Sequence, residues 1–233
     1  RVRNDAEVFF QNSSEPRFVP VSVTGTLTPR FEHNAHVMVA DHEIIFVGGR
    51  LEGELNGIIE ILSLKNYSES ESNRVDGQAY QLGELAYPRH QHASVLFEDS
   101  ENPLLFVYGG YGGSLGAPYV KFTAEFCRVL ASPEAFRIRN STRSLRRLKM
   151  NQDSTLPGPR RGLEMVAGLD SGMAENTALL IAGTRKEPTP DPFATNQAAS
   201  CRTGYLLQLK DNGRGYLLLE WIPAGRLVQE TLQ

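Results

Sequence analysis

The side chains with the most chemical content are arginines at matching places in the chain. Arg30, Arg89 and Arg160 each follow a proline and stand just before an apolar run, and Arg161 adds a second charge at the third place. A guanidinium offers five donors in a rigid fork, which suits a carboxylate or a phosphate. The same fork can bond backbone carbonyls of a neighbouring unit. The densest charge lies at residues 136–149, FRIRNSTRSLRRLK, where Arg137, Arg139, Arg143, Arg146, Arg147 and Lys149 occur with no acid. In a chain of net charge −3 this is a local patch. It suits an acidic protein surface or, with salt-sensitive binding, RNA or another polyanion. It also reads as a solvated strand and loop, since Phe136 and Ile138 alternate with Arg137 and Arg139.

Histidines are the other candidates. HNAH at 33–36 and HQH at 90–92 carry imidazoles, which are common metal ligands. His33 and His92 fall in different units, and only Glu32 among nearby acids accompanies them, so no metal or other cofactor is expected. GGYGG at 109–113 lacks the GK[ST] ending and the following helix of a phosphate loop. No Gly-x-Ser-x-Gly elbow is present, and no paired carboxylates stand at acid–base spacing.

The elements that must position these groups form a repeat. Residues 29–49 read as a Pro-Arg pair, an apolar strand at 35–40, a turn at Asp41-His42, a β-branched and aromatic strand at 43–47, and a closing Gly48-Gly49. Residues 88–110 repeat this, with strands at 93–97 and 104–108 before Gly109-Gly110. Residues 159–184 are a weaker copy, with strands at 163–167 and 178–182. There Leu163 replaces His33 and His92, and Gly183-Thr184 stands for the glycine pair. Third and outer strands are expected at 58–64 and 78–85 in the first unit. In the second unit they are expected at 122–130 and at either 136–139 or 145–149, and in the third at 203–209 and 216–222. Residues 65–77, 111–118 and 184–200 read as loops, and 226–232 as a short strand or frayed tail. Strands at 7–11 and 18–24 read as the end of a preceding unit.

The pattern PRxxH, apolar strand, turn, apolar strand, Gly-Gly resembles the kelch repeat family over about residues 29–223. The intervals between Pro-Arg pairs, roughly 60 and 70 residues, slightly exceed the roughly 50 of that repeat. The resemblance implies an all-β, kelch-type β-propeller with about three complete four-stranded blades plus part of a fourth. The units run 1–28 (end strands of a preceding blade), 29–87, 88–158, and 159–233 with the C-terminal tail. Such an arc leaves apolar faces open, so missing residues of the same polypeptide, a partner chain or a four-bladed closure is expected to complete it. The resemblance also places Arg30, Arg89, Arg160 and Arg161 near one mouth of the central channel, as a basic rim for acidic peptides. A non-catalytic protein-interaction module, scaffold or complex subunit follows, binding through its loop face and the 137–149 patch. The alternatives are an enzyme or accessory domain with a site at the channel mouth using His33, His92 and Arg89, and RNA contact through Arg137 to Lys149.

Composition bounds the rest. The 233 residues suffice for one large β domain, and the 40% hydrophobic and 22% charged content is globular. No apolar run is long enough for a membrane-spanning helix. Two cysteines, Cys127 and Cys201, exclude a disulfide-dense scaffold; buried thiols are expected, with a bridge between them the alternative. Sequons at Asn12, Asn66 and Asn140 do not decide for secretion.

Overall fold

The computed structural model describes residues 6–10, 17–38, 42–65, 75–98, 102–113, 119–121, 123, 127–139, 142–152, 157–167, 177–184, 203–211 and 216–226. All regular structure among them is β. In chain order the strands are β1 (Glu7–Phe10), β2 (Arg17–Gly25), β3 (Asn34–Met38), β4 (Glu43–Val47), β5 (Arg50–Leu51), β6 (Glu54–Asn56), β7 (Ile58–Lys65) and β8 (Val75–Glu84). Then come β9 (Arg89–His90), β10 (Ala93–Phe97), β11 (Leu104–Tyr108), β12 (Tyr111–Gly112), β13 (Tyr119–Lys121), β14 (Arg128–Val129), β15 (Glu134–Arg139) and β16 (Ser144–Arg147). The last are β17 (Lys149–Gln152), β18 (Arg161–Ala167), β19 (Thr177–Thr184), β20 (Thr203–Asp211) and β21 (Tyr216–Arg226).

Three larger sheets follow the sequence repeat. Their strand orders are β1-β2-β8-β7-β4-β3, β10-β11-β15-β16 and β17-β21-β20-β19-β18. Each has the first strand of its repeat at one edge, and these edge strands approach one another, β10 touching both β18 and β3. Alternate side chains point to opposite faces, so each sheet offers two apolar faces. One face of the first sheet (Ile45, Val47, Ile59, Ile61) packs on Leu105, Val107, Phe136 and Ile138 of the second. The other face of the second (Val95, Phe106, Tyr108) packs on Leu163, Leu180, Leu207 and Trp221 of the third. The arrangement is propeller-like.

Several expectations are corrected. The segment 1–28 is no separate unit: β2 pairs antiparallel with β1 and then, through Val21–Gly25, parallel with β8, so both extend the first sheet. The third strand of the second unit is β15, not 122–130, where among the described residues only Arg128–Val129 is a strand. Both options for its fourth strand are real, since β15 and β16 pair with each other. Asn12, Asn66, Asn140, Cys201, most of the 65–77 and 184–200 loops and the tail from 227 lie outside the described residues. Cys127 is a buried thiol.

The third closing pair is also shifted by one residue. Gly48 and Gly109 have φ of 58° and 70°, and Gly49 and Gly110 have φ of 99° and 94°. Ala182 and Gly183 reproduce this, at 60° and 96°. The first member of the third pair is therefore an alanine in the left-handed region, which costs an L-residue roughly 1–2 kcal/mol. Ala182→Gly is expected to stabilise the fold by about 0.5–1 kcal/mol, after allowing for the freer unfolded chain. A rise in the urea midpoint at constant slope checks this; an unchanged or lower midpoint means the methyl group contributes as much as the strain costs.

Candidate functional site

The repeated arginines form one motif. Arg30 Nε donates to the Thr28 carbonyl at 3.2 Å, and its Nη1 donates to the carbonyls of Gly48 (3.1 Å) and Ile58 (2.9 Å). Its Nη2 pairs with Glu60. Arg89 does the same with Tyr87 (3.0 Å), Gly109 (3.0 Å), Ser132 (2.8 Å) and the Glu134 carboxylate (2.6 Å). Arg160 donates to the carbonyls of Gly158 and Ala182, both at 3.4 Å. In the third sheet Tyr205 takes the place of the glutamate: it pairs with Leu180, the equivalent of the partners of Glu60 and Glu134. Its ring lies under the Arg160 guanidinium at 5.2 Å from the centroid, a cation–π contact.

Arg30, Arg89 and Arg160 are 8%, 0% and 1% exposed. The basic rim expected from these three is therefore corrected. Each guanidinium is consumed tying the start of its repeat to its own glycine corner. The glutamates escaped sequence reasoning, although a lone carboxylate inside an apolar strand, as in IIEIL at 58–62, is itself a signal of a buried charge pair.

The glycine corners carry the contact between sheets. The Gly49 N–H donates to the Arg89 carbonyl (2.9 Å), and the Gly110 N–H to the Arg160 carbonyl (2.8 Å). A Cβ on Gly48 or Gly109 would stand 2.7 or 2.6 Å from those same carbonyl oxygens, so the backbones approach only because the side chains are absent. Beside them runs a polar chain. Glu32 receives bonds from His90 Nδ1 (2.6 Å) and Gln91 Nε2 (3.1 Å) and pairs with Arg50 (2.7 Å). Arg161 Nη1 donates to Gln91 Oε1 at 2.7 Å, so Arg161 serves this chain.

The histidines lie around the seam between the first two sheets. His36 Nε2 shares a 2.7 Å hydrogen bond with Ser94 Oγ across it. His92 is 2% exposed, and among the described residues neither of its ring nitrogens has a hydrogen-bond partner. Burial, and then the neighbouring Arg89, hold its pKa well below the usual histidine value. Arg89 and His92 are out of reach of a substrate, which removes two of the three groups considered for a site at the channel mouth. Among the described residues no three His, Cys, Asp or Glu side chains are placed to hold a metal ion.

The basic stretch forms the outer edge of the second sheet and reaches the third. Arg137 and Arg139 lie on β15, Arg143 in the turn, Arg146 and Arg147 on β16, and Lys149 on β17. Four of the six have local duties. Arg137 donates to the Asn102 carbonyl (2.9 Å), and Lys149 lies over the Tyr216 ring. Arg143 stacks on Tyr80 of the first sheet, 4.7 Å from the ring centroid, and stands 3.6 Å from Glu43. Arg147 covers Phe136, donates to the Glu84 carbonyl (3.0 Å) and stands 3.2 Å from Glu134. Arg139 and Arg146 are exposed and, among the described residues, engage no hydrogen bond or ion pair.

No protein-family model and no curated protein sequence matches the chain. Solved structures do. One, from a cryo-EM structure of RAG in complex with one melted and one unmelted RSS, superposes with a TM-score of 0.63 at 14% identity. The match covers 94% of this chain and 60% of that one. The structure of YjhT superposes with a TM-score of 0.50 at 13% identity, over 88% of this chain and 54% of that one. This chain thus spans less than two thirds of the length of either structure. The shared property is the fold: all-β, with curled sheets in a propeller-like array. Among the described residues no helix is long and apolar enough to cross a membrane.

Proposed function

We propose that this chain is a non-catalytic protein-interaction module built of kelch-type blades, acting as a scaffold or as a subunit of a larger assembly. The observation that carries the reading is the outer edge of the second sheet. There two exposed arginines, Arg139 and Arg146, stand on paired strands with no partner among the described residues, beside Arg143 and Arg147, which already reach across to the first sheet. Rigid strands present charges at fixed spacing, which favours recognition of a shaped, acidic surface. The far face of the third sheet supports the subunit form. Leu179 and Ile181 are only half-buried, while Ile45, Val47, Phe106 and Tyr108 at the equivalent places are fully buried. Val166 and Ile222 on that face are 44% and 37% exposed. The RAG relative was itself solved in a complex, an analogy of fold alone.

The test is cross-linking and pull-down at physiological salt, comparing the native protein with an Arg139→Glu/Arg146→Glu variant. Both substitutions are on the surface, so the melting temperature is expected to stay within a few degrees. The partner recovered by the native protein is expected to be lost, by at least tenfold, from the variant. Equal recovery by both proteins sinks the proposed surface. Nuclease-sensitive recovery would instead favour RNA contact through the same edge.

A further inference from the structure

The three large sheets end differently on their outer side. Beyond its fourth strand the first sheet carries β2, which runs parallel to β8 over Val75–Ala79. The third carries β17, which runs parallel to β21 over Tyr216–Leu219. Among the described residues the second sheet stops at its fourth strand, β16. The repeat fixes which residues correspond. Glu60 and Glu134 hold the same place, so the pair Leu62↔Ala79 matches Phe136↔Arg147, and Leu64↔Gly77 matches Ile138↔Leu145. Ser144–Arg147 therefore stands where β8 receives β2. Its backbone is turned to do the same. The Leu148 N–H donates to the Ala135 carbonyl and the Ile138 N–H to the Pro103 carbonyl, both at 2.9 Å. Successive residues of a strand turn their backbone groups to opposite sides. Ser144 and Arg146 thus serve β15, and Leu145 and Arg147 direct N–H and C=O outward. No backbone hydrogen bond among the described residues reaches those four groups. β16 has neither a proline nor a bulge, two common guards of an edge. Its flanking arginines lie to one side, Arg143 over Tyr80 and Arg147 over Phe136.

We propose that β16 receives an extended segment of a protein partner as a parallel fifth strand. The reading rests on the interaction-module proposal above and deepens it by naming how the partner is held. In strand addition the main chain supplies the affinity and alternate side chains the selectivity. The flanking sheets supply the direction, since both outer strands run parallel to the fourth, and the length, since β17 pairs over only Lys149–Gln152. β2 supplies the side-chain pattern, with Val21 and Val23 on one face and Ser22 and Thr24 on the other. A nucleic acid has no row of alternating N–H and C=O groups with which to meet this edge.

The probe is a synthetic peptide of residues 19–25, VPVSVTG, which carries no charged side chain. In the protein the Val21 N–H donates to the Ala6 carbonyl, so Ser22 and Thr24 are the residues that face β8. Titration is followed by the amide resonances of the protein. The largest shifts are expected at Leu145 and Arg147, with affinity changing less than twofold as salt is raised. N-methylation of the peptide at the Ser22 and Thr24 positions is expected to weaken binding at least tenfold, and at Val21 and Val23 less than twofold. Arg147→Pro is compared with Arg147→Ala, because both lose the side chain and only proline loses the outward N–H. The proline variant is expected to bind at least tenfold more weakly than the alanine variant. Equal effects of the two N-methylated peptides overturn the proposal, as do shifts confined to β8 or no saturable binding. Slow hydrogen exchange at Leu145 and Arg147 in the protein alone also overturns it, the edge then being taken by this chain or by a second copy. The outcome separates the two readings. If the partner is lost from the Arg139→Glu/Arg146→Glu variant while no peptide reaches β16, the interaction module stands and strand addition falls. If the peptide pairs with β16 while cross-linking recovers no partner, the reverse holds.

Discussion

Glu134→Ala is expected to lower the folding free energy by about 3–5 kcal/mol, the usual cost of stranding a buried charge. The Glu134 carboxylate accepts from Arg89 at 2.6 Å, from the backbone N–H of Ala86 at 2.7 Å and from that of Tyr87 at 3.3 Å. Truncation takes the acceptor from all three donors at once. Arg89 is 0% exposed, and desolvation already pulls its pKa below the ordinary arginine value against the opposing pull of Glu134. A guanidinium does not solve this by losing its proton. The remaining carbonyl contacts hold the side chain in place but do not neutralise it. The double variant Arg89→Met/Glu134→Leu, which removes both charges, is expected to be more stable than the single Glu134 variant. Chemical denaturation of native, single and double variants completes the cycle. A loss under about 1 kcal/mol for Glu134→Ala would show that water reaches Arg89 and that the corner is looser than its geometry indicates.

Acid is expected to weaken the seam between the first two sheets. Burial lowers the pKa of His36 to about 4, and burial together with Arg89 lowers that of His92 well below the usual 6.5. Both imidazoles are therefore neutral in the folded protein over a range where the unfolded chain binds protons. Stability is full above about pH 6.5 and falls as the pH drops from there towards 4, since the unfolded state holds more protons in that window. Each unit of difference is worth 1.36 kcal/mol, so His36 alone costs about 2 kcal/mol between pH 7 and 5. His92 adds to it in the same direction. Urea unfolding at pH 7, 6 and 5 measures the slope, and His36→Gln is expected to flatten it. A profile that is level or rising towards pH 5 contradicts the assignment.

Strand positions were most legible where an apolar run ends at a glycine pair. β10 and β11 fall at 93–97 and 104–108 as read, because continuous burial demands an unbroken apolar segment and the corner demands glycine. The 122–130 segment misled for a physical reason. Its Phe, Cys, Val and Leu look strand-like, yet Cys127 and Val129 bury in a small cluster with Leu55 and Tyr111, outside the main sheet. The true third strand begins just after Pro133 with a carboxylate, Glu134, which local pattern marks as unfit for a core. Its distant partners, Arg89 first and then Arg147 and the Ala86 and Tyr87 N–H groups, make it acceptable there. The same blindness affected the arginines themselves. Their equivalence was plain in the sequence, but the groups that consume them lie up to 45 residues away. The surface cations show the converse. Arg143 was visible as charge, whereas the tyrosine and glutamate it meets, Tyr80 and Glu43, belong to another repeat.

β17 adds a strand to the third sheet from residues that precede the third Pro-Arg pair, running parallel to β21 from Lys149↔Tyr216 to Gln152↔Leu219. β2 does likewise for the first sheet. The genetic period and the hydrogen-bonded period are thus out of step. A shuffling or deletion event with its breakpoint at the Pro-Arg pair would strand this edge in the wrong product, so such arrays are expected to tolerate recombination best when the junction falls upstream of the borrowed strand.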